Sequence, residues 1–294
     1  MNPPPQSRPH SSLVACTRRE AIGSLSALLA AGLWPGALRA AATGPAPYEE
    51  FTFVALNDFH HREPACDPWF EALFKQVAAH QAAAFCLLLG DLADAGAPAS
   101  FTTIRRLATA TKFPFHAVPG NHDCPANNSY AAYAEAFPDS FNYSFTHRGW
   151  QFVALDTSEG TKYTQTHIQP ATFQWLDREL PKLDPLKPTV ICTHFPLSAK
   201  TPNCPLNAED LLQRFLKFNL RLTLGGHYHG KTLEKRDHLE LVTNACCSRV
   251  APNHDGTKDK GYWLCQTKAD GVVERAFQLF KFPPSAAPAT TAPG

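Results

Sequence analysis

Five apolar runs in this chain each end on side chains that can ligate a metal. They close on Asp58-Phe59-His60, Gly90-Asp91, Gly120-Asn121-His122-Asp123, Thr193-His194 and Gly226-His227-Tyr228-His229. Short continuous apolar runs read as strands covered on both faces, so the polar groups sit where strands give way to loops. In a layered α/β domain the strand ends converge on one crevice, and groups far apart in sequence can meet there. Each group alone has an ordinary explanation as a turn, a helix cap or a satisfied core histidine. Five in order, each behind a strand, make coincidence a poor account. Carboxylate, amide and imidazole ligands without thiolate suit borderline or hard divalent metals rather than an iron–sulfur or structural zinc site.

The spacing predicts strands over 51–58, 85–89, 113–119, 189–193 and 221–224, and helices over 68–82, 99–110, 129–137, 170–180 and 208–218. Two further runs, 141–146 and 150–156, predict a hairpin around a three-residue loop, His147-Arg148-Gly149. Residues 239–243, 262–266 and 272–280 read as consecutive antiparallel strands. Alternating strands and helices followed by hairpins predict a mixed α/β sandwich, two sheets face to face with helices outside. Neither an internal repeat nor a Pro/Gly/Ser linker interrupts the middle of the chain. One domain is therefore expected over 48–282, followed by a disordered Pro/Ala-rich tail at 283–294.

Residues 1–42 read as an export signal. A polar, Pro-rich start leads into Thr17-Arg18-Arg19-Glu20-Ala21-Ile22, a mild Ala/Leu/Gly run and Ala40-Ala41-Ala42, a small-residue cleavage site. Paired arginines after a threonine resemble a twin-arginine signal. The run is too short and too weakly apolar to predict stable membrane insertion. The expectation is a bacterial periplasmic or secreted protein, carried by the twin-arginine export machinery and cleaved near Ala42. Without residues 1–42 the chain has 23 basic and 25 acidic residues and no basic stripe, so nucleic acid is not expected as a stable partner. Cys86 and Cys192 lie inside strand-like runs and are expected as buried thiols. The other six cysteines beyond residue 42 show no C-x-x-C spacing and leave disulfide pairing open.

Asp58 and His60 are two residues apart, so an extended strand would turn both side chains to one face and let them grip one ion. Asp94 is a candidate partner for Asp91. Asp123 follows His122, and an aspartate can hold an imidazole in one tautomer and keep it protonated, which makes His122 a candidate general acid. His227 and His229, after a Gly-Gly turn, could serve two neighbouring ions. His61, Arg62 and Arg249 are candidate substrate contacts.

Taken in order, D-x-H, GD-x-x-D, GNHD, TH-x-P-L and GH-x-H resemble the calcineurin-like metallophosphoesterase family over residues 51–230. The resemblance implies a four-layer αββα sandwich of two mixed sheets flanked by helices, and two metal ions drawn from iron, manganese and zinc. It implies Asp58, His60, Asp91 and His229 around the first ion. Asp91 would bridge to the second, held also by Asn121, His194 and His227, while His122 would stand outside the metal shell and touch substrate. The implied reaction is hydrolysis of a small phosphate mono- or diester by a metal-bridging hydroxide, with His122 protonating the leaving oxygen. A cyclic-nucleotide phosphodiesterase is an alternative within this class. Outside it stand a non-catalytic binding module on the same fold and a plain metal-binding protein. The His122-Asp123 pair, which metal binding alone does not need, argues against the last.

Overall fold

The computed structural model describes residues 48–283; the expected export signal at 1–42 and all but the first residue of the expected tail lie outside them. The elements run β1 (Thr52–Leu56), α1 (Asp67–Ala78), β2 (Ala83–Leu89), α2 (Pro98–Ala110), β3 (Phe115–Val118), α3 (Ala131–Ala136), β4 (Tyr143–His147), β5 (Trp150–Ala154), α4 (Pro170–Glu179), β6 (Thr189–Cys192), α5 (Ala208–Arg214), β7 (Leu220–Gly225), β8 (Leu233–Arg236), β9 (Leu239–Thr243), β10 (Lys260–Thr267) and β11 (Val273–Phe280). Proline sits in the first turn of α1, α2 and α4, where a missing N–H leaves no bond unmade. No side chain caps any of these three starts.

One sheet has the order β11-β10-β1-β2-β3, the other β4-β5-β6-β7-β9-β8. Strands β1, β2 and β3 are parallel, as are β5, β6, β7 and β9. Period-two alternation splits the strand residues between two cores. Phe53, Ala55, Phe85, Leu87 and Leu89 meet Phe152, Val190, Leu222 and Leu224 between the sheets. Val54, Leu56, Cys86 and Leu88 turn the other way, onto Phe70, Leu73, Phe74 and Val77 of α1 and Phe101, Ile104 and Leu107 of α2. On the far side Val153, Ile191 and Leu241 pack on Leu176 of α4 and Leu211 and Leu212 of α5. The result is the expected four-layer αββα sandwich. Among the described residues no helix is long and apolar enough to cross a membrane.

Two local expectations need correction. The hairpin loop has two residues, not three: His147 pairs with Trp150, and Arg148 and Gly149 take φ of 47° and 82°. That double left-handed turn matches the twist of paired strands. Strand β9 does not join β10 and β11; it lies in the other sheet, parallel to β7 and antiparallel to β8. Strand β8 itself reads Leu-Glu-Lys-Arg and carries no apolar run to announce it. All eight cysteines among the described residues are free thiols, including Cys86 and Cys192, both buried.

Candidate metal centre

Every candidate ligand leaves the carboxyl end of a parallel strand. Asp58 and His60 follow β1, Asp91 follows β2, Asn121 and His122 follow β3, His194 follows β6, and His227 and His229 follow β7. The first three of these segments come from one sheet, the histidines at 194, 227 and 229 from the other. Asp58 and His60 are not extended, contrary to the expectation. Asp58, His60, Asp91, His227 and His229 all have left-handed backbone, with φ between 46° and 62°. Each such residue costs roughly 1–3 kcal/mol and persists where its surroundings hold it. Here Asp58 N–H donates to the Gly90 carbonyl (3.1 Å), His60 N–H to the Asp91 carbonyl (2.9 Å), and His227 N–H to the Asp58 carboxylate (2.9 Å).

The side chains converge in two groups that share Asp91, Asp58–His60–Asp91–His229 and Asp91–His194–His227, and a third, His60–Asp94–His122, adjoins the first through His60; the ligand atoms in each lie within 4.8 Å of one another. His229 Nε2 is 3.1 Å from Asp58 Oδ1 and 3.1 Å from His60 Nε2. His60 Nε2 and His194 Nε2 reach Asp91 Oδ2 at 3.5 and 3.3 Å, and Asn121 Oδ1 lies 3.3 Å from His194 Nε2. Asp91 is common to the first two groups.

The opposite ring nitrogens are already committed. His194 Nδ1 donates to the Leu89 carbonyl (2.9 Å), His229 Nδ1 to the Pro252 carbonyl (2.9 Å), and His227 Nε2 to the Tyr163 carbonyl (2.8 Å). A carbonyl can only accept, so each of these nitrogens bears hydrogen and the other nitrogen is the one turned inward. Fixing tautomer and orientation through the outer nitrogen is how proteins prepare imidazole for a metal. His60 is the variant case: its Nδ1 is 3.3 Å from Asp94 Oδ1, an ion-pair distance without hydrogen-bond alignment. Asp94, a candidate partner for Asp91, thus faces His60 and Arg62 instead. The donor set and its outward anchoring fit a pair of divalent ions.

Glycine in three motifs answers to the same crowding. A Cβ on Gly90 would stand 2.5 Å from His194 Nδ1, and one on Gly226 2.5 Å from Asp58 Oδ2. A Cβ on Gly120 would strike the Asp91 carboxylate. Gly120→Ala is therefore expected to weaken metal affinity at least tenfold with little loss of folded protein, because displacing an anchored ligand typically costs about 10–100-fold. Titration calorimetry with manganese checks this, and unchanged affinity would show that the loop gives way without moving Asp91.

Electrostatics bind the group to itself. Burial opposes charge on His229 and His194, yet the carboxylates of Asp58 and Asp91 override it and push these imidazoles up to about 11 and about 9. Asp58 and Asp91 are held far below the usual carboxylate range, their burial outweighed by the same histidines. His227, desolvated and beside His194, falls to about 3. Protons on His229 and His194 thus occupy places a cation would take. Both folded values lie above the ordinary histidine value, so this pairing stabilises metal-free protein below about pH 6.5 and is lost as pH rises through about 9 to 11. The urea midpoint measured in excess chelator is expected to fall between pH 7 and 10.5; a flat profile would contradict the pairing. Metal binding should in turn release protons and tighten as pH rises.

Asp123 does not touch His122. Its carboxylate accepts the N–H of Ala93 (2.8 Å) and of Gly120 (2.9 Å), joining the loops after β2 and β3, and burial together with Asp91 lifts it to about 8. The expectation that it orients His122 is corrected: His122 Nδ1 donates to the Asp94 carbonyl (2.7 Å). His61 is likewise removed from the substrate candidates. It is buried, with Nδ1 on Ser100 Oγ (2.9 Å) and Nε2 on Asp67 Oδ1 (2.7 Å), so neither nitrogen is left for a ligand. Arg62 is exposed and paired with Asp94 (2.8 Å), beside the cluster; Arg249 is exposed. Sequence reasoning missed His254, which is exposed and stacks on His229 with ring centres 5.0 Å apart.

A family model described as calcineurin-like phosphoesterase matches residues 51–231. The chain is 29% identical to a 3',5'-cyclic-nucleotide phosphodiesterase of Nostoc sp. over 53% of its length and 59% of that relative's, so the match spans less than two thirds of the relative. It is 28% identical to a protein of Synechococcus sp. named "Probable cyclic nucleotide phosphodiesterase", over 60% of this chain and 69% of that one. Among solved structures it resembles a purple acid phosphatase from seeds of yellow lupin, with a TM-score of 0.52 and 14% identity over 79% of this chain and 54% of that one, a likeness of fold. With its five ligand-bearing loops gathered at one end of an αββα sandwich, the chain belongs to the calcineurin-like phosphoesterase family.

Proposed function

We propose that the protein is an exported, two-metal phosphodiesterase and that 3',5'-cyclic nucleotides are the first substrate class to test. The observation that carries the reading is the set of inward-facing imidazole nitrogens around a shared Asp91, those of His194, His227 and His229 each turned by a carbonyl behind the ring. Asp58, His60, Asp91 and His229 would hold one ion. Asp91, Asn121, His194 and His227 would hold the other. Such a pair supplies an acidified water and neutralises charge on phosphate oxygens.

The chain's own part follows from where its other groups stand. His122 is outside both groups that share Asp91; its backbone N–H donates to Asp91 Oδ1 (2.9 Å) and its ring stands edge-on to His60, centres 4.6 Å apart. With Nδ1 fixed on the Asp94 carbonyl, Nε2 is the edge that meets substrate and delivers a proton to the departing ester oxygen. Arg62, paired with Asp94 beside the cluster, is a candidate to meet a phosphate oxygen, and exposed Arg249 is a second. The cyclic-nucleotide preference is supported by the activity named for the Nostoc relative. A non-catalytic module is disfavoured because the seven ligand positions and His122 are all present.

The test is a panel of chromogenic mono- and diesters and 3',5'-cyclic nucleotides, assayed with manganese and with chelator. Chelator-sensitive hydrolysis of diesters supports the proposal. Cleavage of monoesters alone would move the substrate class, and no turnover of any ester with both ions bound would favour the binding module. Export is proposed on Thr17-Arg18-Arg19 and Ala40-Ala41-Ala42. Replacing both arginines by lysine should keep the product inside the cell.

A further inference from the structure

Behind His229 lies a second cluster that the phosphoesterase reading does not use. Cys246 is fully buried just after β9, and Lys260 opens β10. Lys260 Nζ stands 2.8 Å from Cys246 Sγ, 2.6 Å from the Ala251 carbonyl and 3.4 Å from Asn253 Oδ1. None of these partners is a carboxylate. An amine that forms a hydrogen bond to sulfur normally stands further off, because sulfur is a large and weak acceptor. The amine is half-buried and the sulfur fully buried. The neighbouring Cys247 is directed elsewhere, with its sulfur on the Gly261 carbonyl at 3.3 Å.

We propose that Cys246 and Lys260 are a redox modification site, joined by dioxygen into an Sγ–O–Nζ cross-link. The ammonium first gives its extra proton to solvent. The S–H bond, one N–H bond and the O–O bond then break, and one S–O and one O–N bond form. Sulfur and nitrogen each give up two electrons; one oxygen atom stays as the bridge and the other leaves as water with the two hydrogens. Thiol reductant reverses the link, as it does other sulfur products short of sulfinic acid. The gap already accepts a single bridging atom, so the backbone need not move. The link would tie together the ends of the segment that carries Pro252, whose carbonyl turns His229, and His254, which stacks on it.

Peptide mass spectrometry on the purified protein decides the matter without any turnover measurement. Samples kept under air are compared with samples held in dithiothreitol. The expected result is a Cys246–Lys260 cross-linked peptide about 14 Da heavier than its two components, one oxygen gained and two hydrogens lost, that vanishes on reduction. Cys246→Ser and, separately, Lys260→Arg should each lack it; the arginine keeps the charge and the folded state if serine does not. Three results would overturn the proposal: linear peptides only, Cys246 carried to sulfinic acid with Lys260 unmodified, or a cross-link about 2 Da lighter, which is a direct sulfur–nitrogen bond.

Discussion

Asp91→Ala is expected to empty both metal positions and to lower kcat by more than about 10⁴-fold, beyond what the loss of a general acid removes. Asp91 is the one carboxylate in both ligand groups. Its Oδ2 faces His60 at 3.5 Å and His194 at 3.3 Å, and its Oδ1 accepts the backbone N–H of His122. Alanine removes the bridge, the counter-charge for two imidazoles and the bond that places the general acid. It also breaks the buried pair with His194, so some stability should be lost along with the chemistry. Metal content by mass spectrometry, read beside a urea midpoint, separates these effects. Retention of two ions per chain in Asp91→Ala would show that the bridge is elsewhere.

His122→Ala should keep both ions and lose about 10²–10⁴-fold in kcat, the usual worth of a positioned acid. The size of the loss should track the leaving group. A nitrophenolate departs unaided, so its ester is expected to suffer least, whereas a ribose alkoxide needs the proton and its ester should suffer most. Equal loss on both esters would mean that His122 binds phosphate without transferring a proton. An emptied metal site in the variant would place His122 among the ligands.

The positions of the candidate ligands were legible because strand ends in an α/β sandwich leave little choice of where polar groups go. Asp58, Asp91, Asn121 and His194 each follow an apolar run, and those runs became β1, β2, β3 and β6. What orients them was not legible. The carbonyls of Leu89, Tyr163 and Pro252 act as backbone, and any residue supplies one. Left-handed φ at Asp58 and His60 was hidden too, since spacing of two suggests extended chain as readily as a tight bend. Asp123 shows the limit of reading neighbours: it adjoins His122 in sequence, yet its oxygens turn to Ala93 and Gly120. Strand β8 escaped because three of its four residues are charged and it pairs only along one edge.

The ligand loops come from both sheets, and they also bond to one another across the gap. His227 N–H reaches Asp58, and His194 Nδ1 reaches the Leu89 carbonyl. An ion seated among Asp58, His60, Asp91 and His229 would be a rivet through the two halves of the sandwich at its working end. Elsewhere the halves adhere mainly through apolar contact, as in the phenylalanines at 53, 85 and 152, with a few polar links such as Arg275 to Glu240 and Tyr143 to the Ala117 carbonyl. Starved of its ions, the molecule keeps that adhesive but loses the fastener, and its seam would open first where the chemistry is done.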